Sequence, residues 1–462
     1  MGRGEKARYR LRAGWPVTMA GVLAMGVVLT ALPAAGAATS AKPQSKVVLR
    51  FMNWWDADRE TWMNEVIRRF EALYPWIDVR NEVQGWPDRS SKVMAAFAAG
   101  VPAELTMVTR SELAALADLD AIVPITPFLK RDNVDLKEFF AAEIQAFMWD
   151  GEIWSLPLPS VSGEGSMYFF NQTLFEEAGL DPAKPPLTWR TLAEALRKLT
   201  RFDPQGRIRQ LGMDTHPPMV VHFTYVNGGQ VISDDRRRAL FDSERAVEAL
   251  RFVASDLTQK AQGGAAAMDA FLAGAQPVER FVQGKQAIIS GHPSVIVWLL
   301  TKVPADFRWG VMPAPYNDLR PDSKSRGIAG FQWGWGYAIP KNLSPEKQEA
   351  AWLFLKFITM DERGAGYFLL QQGRPASIRR FNLNPDYLKK MGPNWPLIIK
   401  YLDNDVAFPV LTVMKDIYDT VINGLWSPLA GAMEPDVALQ RINESLQKIL
   451  DDYWARRSPG KK

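Results

Sequence analysis

Tryptophan, arginine and carboxylate side chains gather in this sequence where strand-like runs end. Read at strand period, Phe331, Trp333, Trp335, Tyr337 and Ile339 share one face of Gly330–Pro340, and Gln332, Gly334, Gly336 and Ala338 share the other. One face is broad and aromatic; the other is nearly bare, so a second backbone can approach it. Trp54-Trp55-Asp56 stands just beyond the apolar run Val47–Phe51. Trp86 and Asp88 follow Ile77–Val83, and Arg110 with Ser111 follows Leu105–Val108. Indole faces take up C–H-rich surface, while carboxylate, hydroxyl and guanidinium groups fix hydroxyls in defined geometry. This is the chemistry of holding a ligand. Core packing competes for every ring, because indoles are commonly buried. It can claim one of Trp54 and Trp55 more easily than both, since neighbours on a strand point to opposite sides.

Chemistry that transforms a ligand finds less support. Cysteine is absent, which excludes disulfides, thiolate metal sites and cysteine nucleophiles. His216, His222 and His292 show neither metal-ligand nor triad spacing, and no Gly-x-Ser-x-Gly elbow or phosphate-binding loop is present. A glycosidase needs two carboxylates flanking one bond, and nothing in the sequence selects such a pair from the many acids. No metal and no cofactor are expected.

The pI near 9.0 invites a nucleic-acid partner. The first 37 residues carry five of the 55 basic residues (Arg3, Lys6, Arg8, Arg10, Arg12) and one of the 51 acidic ones (Glu5), so 50 of each remain beyond them. The basicity belongs to this leader, and no nucleic acid is expected. The leader, 1–37, has a basic start, an apolar run from Val17 to Leu32, and Ala35-Gly36-Ala37 as a small-residue cleavage site, the pattern of a secretory signal peptide. An uncleaved anchor helix is the alternative; the run is short for a span and Pro33 breaks it. The expectation is an exported protein, periplasmic or on the extracellular face, with no cysteine to carry a lipid.

Strands alternate with helices over the first part of the chain. Val47–Phe51, Ile77–Val83 and Leu105–Val108 read as strands. Asp56 or Asp58 would cap a helix carrying Trp62, Val66, Ile67, Phe70 and Leu73, and Asp88–Ala99 would follow as a second helix closed by Gly100. This is the pattern of βα units around a mostly parallel sheet. Met167–Phe170 reads as a further strand. Helices are expected over Asn171–Ala178, Trp189–Thr200 behind a Thr188 cap, Ser243–Leu257, Ala270–Gln283, Ser344–Thr359 and Pro435–Tyr453. Trp62, Trp76, Trp189 and Trp352 are assigned to the core.

An ordered set of short signatures runs through the same chain. Leu156-Pro157, Tyr168-Phe169-Phe170-Asn171, Leu174-Phe175, Ala178-Gly179-Leu180, Pro185-Pro186 and Thr188-Trp189 come first. Gly228-Gly229, Phe281-Val282-Gln283-Gly284-Lys285-Gln286-Ala287 and Gly310-Val311-Met312-Pro313-Ala314-Pro315 follow. Tyr337-Ala338-Ile339-Pro340-Lys341, Ala350-Ala351-Trp352-Leu353-Phe354-Leu355-Lys356-Phe357 and Gly373-Arg374-Pro375 complete it. In this order they resemble the extracellular solute-binding proteins of the carbohydrate type, relatives of maltose-binding protein that feed ABC importers. The resemblance runs from about Val47 to Tyr453. Phe169 or Phe170 stands where the family commonly has a second tyrosine, Glu104 where it has aspartate, and Asn317–Gly330 looks like an enlarged loop near the cleft.

The resemblance implies an α/β, two-lobe periplasmic-binding-protein fold (a Venus flytrap), each lobe a mostly parallel sheet flanked by helices and discontinuous in sequence. Lobe one is expected over 46–159 plus 312–370, and lobe two over 160–311 plus 371–462. Ligand would lie between the lobes and favour the closed state, because only there does it touch both. The resemblance places Gln332–Gly336 at the cleft, which makes Trp333 and Trp335 stacking platforms; packing beneath the Ser344–Thr359 helix is the alternative. Glu164 and Ser166 sit by the first crossing between lobes, and Arg374 offers its planar fork to vicinal hydroxyls, with an interlobe ion pair as the alternative. Asn227 and Trp298 are weaker candidates. The expected function is non-catalytic capture of a sugar or oligosaccharide by a monomer that delivers it to the permease subunits of an ABC importer. A polyol, a glycerophosphate-type compound or a peptide is the alternative ligand, and a phosphate-bearing one calls for clustered basic residues in the cleft. Presentation of sugar to a chemosensor, or a glycoside-active enzyme, are alternatives of other classes.

Overall fold

Apolar residues at alternating positions make Val47–Asn53 a strand whose Leu49, Phe51 and Asn53 are buried. It lies parallel to Ile77–Val83 on one side and to Leu105–Thr109 on the other. Trp335–Ala338 completes this four-stranded sheet, antiparallel to Leu105–Thr109. The computed structural model from which these pairings come describes residues 46–273, 276–331 and 334–457. The leader and Trp333 lie outside the described residues.

A second, five-stranded sheet has the order Trp309–Pro313, Met167–Asn171, Gln286–Ser290, Ile208–Met213, Arg201–Phe202. Only the Gln286–Ser290 and Ile208–Met213 pair is parallel. Met167–Asn171 runs against both its neighbours, and Arg201–Phe202 runs against Ile208–Met213. Two separate sheets form, as a two-lobe fold requires, but the second is more antiparallel than a pure βα repeat would make it. Met167–Asn171, which runs against both its neighbours, arrives from the Ser160–Ser166 crossing and not from a crossover helix.

Helices cover both sheets. Asp58–Leu73 turns Met63, Val66, Ile67 and Phe70 onto the first sheet, where Phe70 and Phe51 both pack on Phe354 of the Pro345–Met360 helix. Trp189–Leu199, held at its start by a Thr188–Thr191 capping box, buries its Trp189 ring flat against Phe252, the centroids 4.4 Å apart. Trp352 is fully buried and Trp62 is half-buried, but Trp76 is 39% exposed, against the core assignment. It sits in the turn before Ile77, at the surface end of the strand. Neither Asp56 nor Asp58 caps its helix through a side chain: the N-cap is Ala57 at φ 51°, and the Asp56 carboxylate is taken by Arg59. The helix expected over Ser243–Leu257 is α-helical to Arg251 and then widens to a π-helix over Phe252–Lys260. The one expected over Ala270–Gln283 is two helices, Ala265–Leu272 and Pro277–Val282, because Pro277 cannot continue a helix and starts a new one.

Three chain crossings join the lobes and lie side by side. Glu164 bridges Ile328, and Ile328–Ala329 pairs in parallel with Val406–Ala407. A Cβ at Gly327 would come within 2.6 Å of the Ser166 amide nitrogen and 2.7 Å of the Glu164 carbonyl oxygen, so this approach is open only to glycine. In the first sheet Gly336 plays the same part: a Cβ there would meet Phe147 at 2.7 Å. The bare face of Gly330–Pro340 therefore accommodates the protein's own chain.

Candidate functional site

The carboxyl end of the first sheet and that of Gln286–Ser290 in the second face one cavity of about 460 Å³. Trp54 reaches it from just past Val47–Asn53, Trp86 from past Ile77–Val83, and Trp335 from the start of its own strand. The three indoles stand mutually edge to face, with centroids 6.2 Å (Trp54–Trp86), 6.1 Å (Trp54–Trp335) and 5.8 Å (Trp86–Trp335) apart. The Arg89 guanidinium sits 3.5 Å over the Trp86 ring and fixes it from outside. Trp86 is 42% exposed, whereas Trp54 is 3% exposed and its buried Nε1 has no hydrogen-bond partner among the described residues. Such an unpaired buried indole N–H is uncommon in a folded protein.

Polar groups ring the aromatic wall. Asp56 is exposed at the rim and paired with Arg59. Ser160, Ser162 and Glu164 contribute from the first crossing. His292 and Ser294, from the start of the helix Pro293–Thr301, face Arg374 on the second-lobe side. Arg374 Nη2 donates to Ser294 Oγ at 3.2 Å. Burial, with Arg59 nearby, lowers the Arg374 guanidinium to about 10, and burial together with the Arg374 charge holds His292 neutral, down to about 4.

Beneath the cavity, three buried ionisable groups tie the crossings together. The Glu143 carboxylate accepts from the Val161 and Ser162 amides at 2.9 and 3.1 Å and from the Ser160 hydroxyl. Asp405 accepts from the Gly163 and Gly327 amides, both at 2.8 Å, and from Ser166 Oγ. Arg110 donates to the carbonyls of Ala146 (2.7 Å), Phe408 (2.6 Å) and Gly330. Desolvation raises both carboxyls, Asp405 to about 7, and lowers Arg110 to about 10. Each is the meeting point of segments far apart in sequence.

Of the candidate residues, Trp54, Asp56, Trp86, Glu164, Trp335 and Arg374 come together around the cavity. Trp55 does not: it is 1% exposed, its ring lies against Phe368, and its Nε1 donates to Tyr337 Oη at 3.3 Å. Both neighbouring indoles can be buried because the chain leaves the strand at Asn53, whose side chain accepts from the Trp55 amide. Ser166 gives its hydroxyl to Asp405, and Arg110 spends its guanidinium on backbone; its flank borders a second cavity of about 210 Å³ that shares Gly334 and Trp335 with the first. Trp333 lies outside the described residues. Asn227 is engaged by Arg245 and Glu248, and Trp298 is not in the cavity wall. The Asn317–Gly330 loop is pinned against the helix Glu244–Arg251 through Arg320–Glu248 and Arg245–Asp322, away from the main cavity. Sequence reading missed Arg59, His292 and Ser294. The strand-end rule that selected Trp54 and Trp86 would have selected His292 and Ser294, which follow Gln286–Ser290.

Residues 65–390 match the sequence profile of the bacterial extracellular solute-binding proteins. Over 168 residues, 36% of this chain, the sequence is 24% identical to the sn-glycerol-3-phosphate-binding periplasmic protein UgpB of Escherichia coli, and the match spans 38% of that relative's length. Among solved structures, the sugar-binding protein MalE of Xanthomonas citri superposes with a TM-score of 0.73 at 19% identity, over 90% of this chain and 100% of that one. An ABC substrate-binding protein of Listeria monocytogenes in complex with cycloalternan gives 0.68 at 20% identity, over 88% and 100%. A solute-binding protein of Thermotoga lettingae bound with α-D-tagatose gives 0.66 at 22%, again over 88% and 100%. At these identities the superpositions speak for the fold.

Proposed function

The chain belongs to the bacterial extracellular solute-binding proteins, and from that premise we propose that it captures a sugar in the cleft between its lobes and delivers it to the permease subunits of an ABC importer. The observation that carries this reading is the wall of three indoles, Trp54, Trp86 and Trp335, set among Asp56, Ser162, Glu164 and Arg374 around one cavity. Flat aromatic surface faces the C–H side of a sugar ring while the polar rim takes its hydroxyls. The volume of about 460 Å³ lies within the usual range for small-ligand pockets, roughly 300–1,000 Å³. The solved relatives that bind cycloalternan or α-D-tagatose, or are sugar-binding proteins, support the ligand class.

Capture proceeds by closure. Residues 46–159 with 312–370 act as one lobe and 160–311 with 371–462 as the other, hinged at the crossings that Asp405 and Glu143 fasten. Ligand draws the lobes together because it gains contacts to both only in the closed state. The protein works as a monomer and without turnover, exported by a leader cleaved after Ala37.

Titration of tryptophan fluorescence with mono-, di- and oligosaccharides tests the reading. A sugar that shifts the spectrum saturably and is recovered intact supports it. Response only to a polyol or a peptide removes the carbohydrate assignment, and hydrolysis of the bound sugar removes the non-catalytic one.

A further inference from the structure

We propose that Arg374 receives an anionic group of the solute, so that the captured compound is a hydroxylated molecule bearing a carboxylate or a phosphate. This rests on the reading of the cavity as a sugar site and narrows it to a charged subclass.

The cavity wall holds two carboxylates, Asp56 and Glu164, and two guanidinium groups, Arg59 and Arg374, but among the described residues neither acid is paired with Arg374. Asp56 is committed to Arg59. The Glu164 charge bears on Arg110 and Tyr418. Arg374 has no ion pair among the described residues; its one side-chain hydrogen bond runs to a neutral hydroxyl, Ser294 Oγ. Its electrostatic neighbour is a second cation, Arg59, and its own charge bears on neutral His292. A guanidinium has five N–H donors in a planar fork, and this one is partly stripped of water, with neither carboxylate of the wall paired to it among the described residues. Keeping such a cation uncompensated beside another is costly unless something brought into the cavity compensates it.

The surroundings suit an anion in particular. Ser294 belongs to the first turn of the nine-residue helix Pro293–Thr301, so its hydroxyl and the positive end of that helix lie beside the guanidinium. The indole wall meanwhile remains available to the carbon skeleton. A ligand with a ring or polyol body against Trp54, Trp86 and Trp335 and an acidic group against Arg374 would satisfy both halves of the cavity. A neutral sugar would leave Arg374 facing hydroxyls alone.

The test uses matched pairs on the purified protein, followed by tryptophan fluorescence at low and high ionic strength: glucose with glucuronate and glucose 6-phosphate, galactose with galacturonate, and glycerol with glycerol 3-phosphate. The expected result is that one anionic member binds about 10- to 100-fold more tightly than its neutral twin, as a charge-assisted bidentate contact provides. The preference should shrink at high salt and fall toward unity in Arg374→Gln. Arg374→Lys, which keeps the charge and loses the fork, should retain part of it, and thermal melts confirm that both variants are folded. Whether the uronates or the phosphate esters win separates the two sources of the anion. Binding of a neutral sugar as tight as that of its acidic twins overturns this proposal and leaves the sugar reading standing, as does a preference that survives Arg374→Gln. A panel in which nothing binds while a peptide does overturns both.

Discussion

Ser166 Oγ stands 2.8 and 2.7 Å from the two carboxylate oxygens of Asp405, and both side chains are buried. A single hydroxyl proton can serve one of those oxygens; the other is within reach of a proton carried by Asp405 itself. Burial raises the Asp405 carboxyl to about 7, and the Glu143 charge adds to the rise. A folded value above the unfolded one means the native state holds its proton longer than the unfolded chain does. The resulting stabilisation is complete below about 4 and is lost as pH climbs through about 7. Between pH 5 and 8 the wild type should lose roughly 2–3 kcal/mol relative to Asp405→Asn, whose amide does not titrate. Urea melts of the two proteins across that range measure it; parallel pH profiles would refute the assignment. Taking the difference cancels the buried histidines, whose lowered values work in the opposite direction.

Arg110 reaches the carbonyls of Ala146, Gly330 and Phe408, one on each of three segments. Arg110→Lys keeps the charge but cannot span them, leaving at least one buried carbonyl unmet. The expected loss is about 2 kcal/mol or more in chemical denaturation. A change of a few tenths would show that the guanidinium is not the clasp its geometry suggests.

Trp55→Ala and Trp335→Ala should separate structure from binding. Trp55 is core, and its truncation should cost about 3–5 kcal/mol of stability. Trp335→Ala should leave most of the stability in place and weaken ligand binding by roughly tenfold or more, as loss of an aromatic contact does. Thermal melts and fluorescence titrations on both variants decide it; equal effects of both on both measurements would erase the distinction.

Gly327→Ala should push apart the first and second crossings, since its Cβ would land on the Ser166 amide and the Glu164 carbonyl. A loss of roughly 1–3 kcal/mol is expected, as for overpacking of a tight site. A melting temperature unchanged from wild type would mean that the crossings open without resistance.

Much of the first lobe was readable because its strands are short β-branched runs and its helices carry regular apolar stripes. Trp54 and Trp86 were expected at the cavity because strand ends in open sheets are where ligands collect, and Trp335 because the family resemblance put Gln332–Gly336 there. Trp55 was misplaced by treating the chain as extended past Asn53, where it in fact turns. Arg59 was invisible because its approach to Asp56 depends on Ala57 holding a positive φ, which no residue type at that position announces. Glu143 and Asp405 had no local signal at all. Each is a lone acid in its own segment, and its partners are amides whose sequence says nothing. The antiparallel character of the second sheet was hidden for the same reason: strand direction there is set by where the chain crosses, not by the residues within the strand.

Asp405 is separated from Ser166 by 239 residues and from Gly327 by 78. A chain emerging from its amino end therefore makes the first and second crossings long before it possesses the acceptor that joins them. Until Asp405 arrives, the amides of Gly163 and Gly327 lack that partner, and the lobes cannot lock in register. The contacts that fasten the crossings are thus non-local ones, which close only after most of the chain has been made.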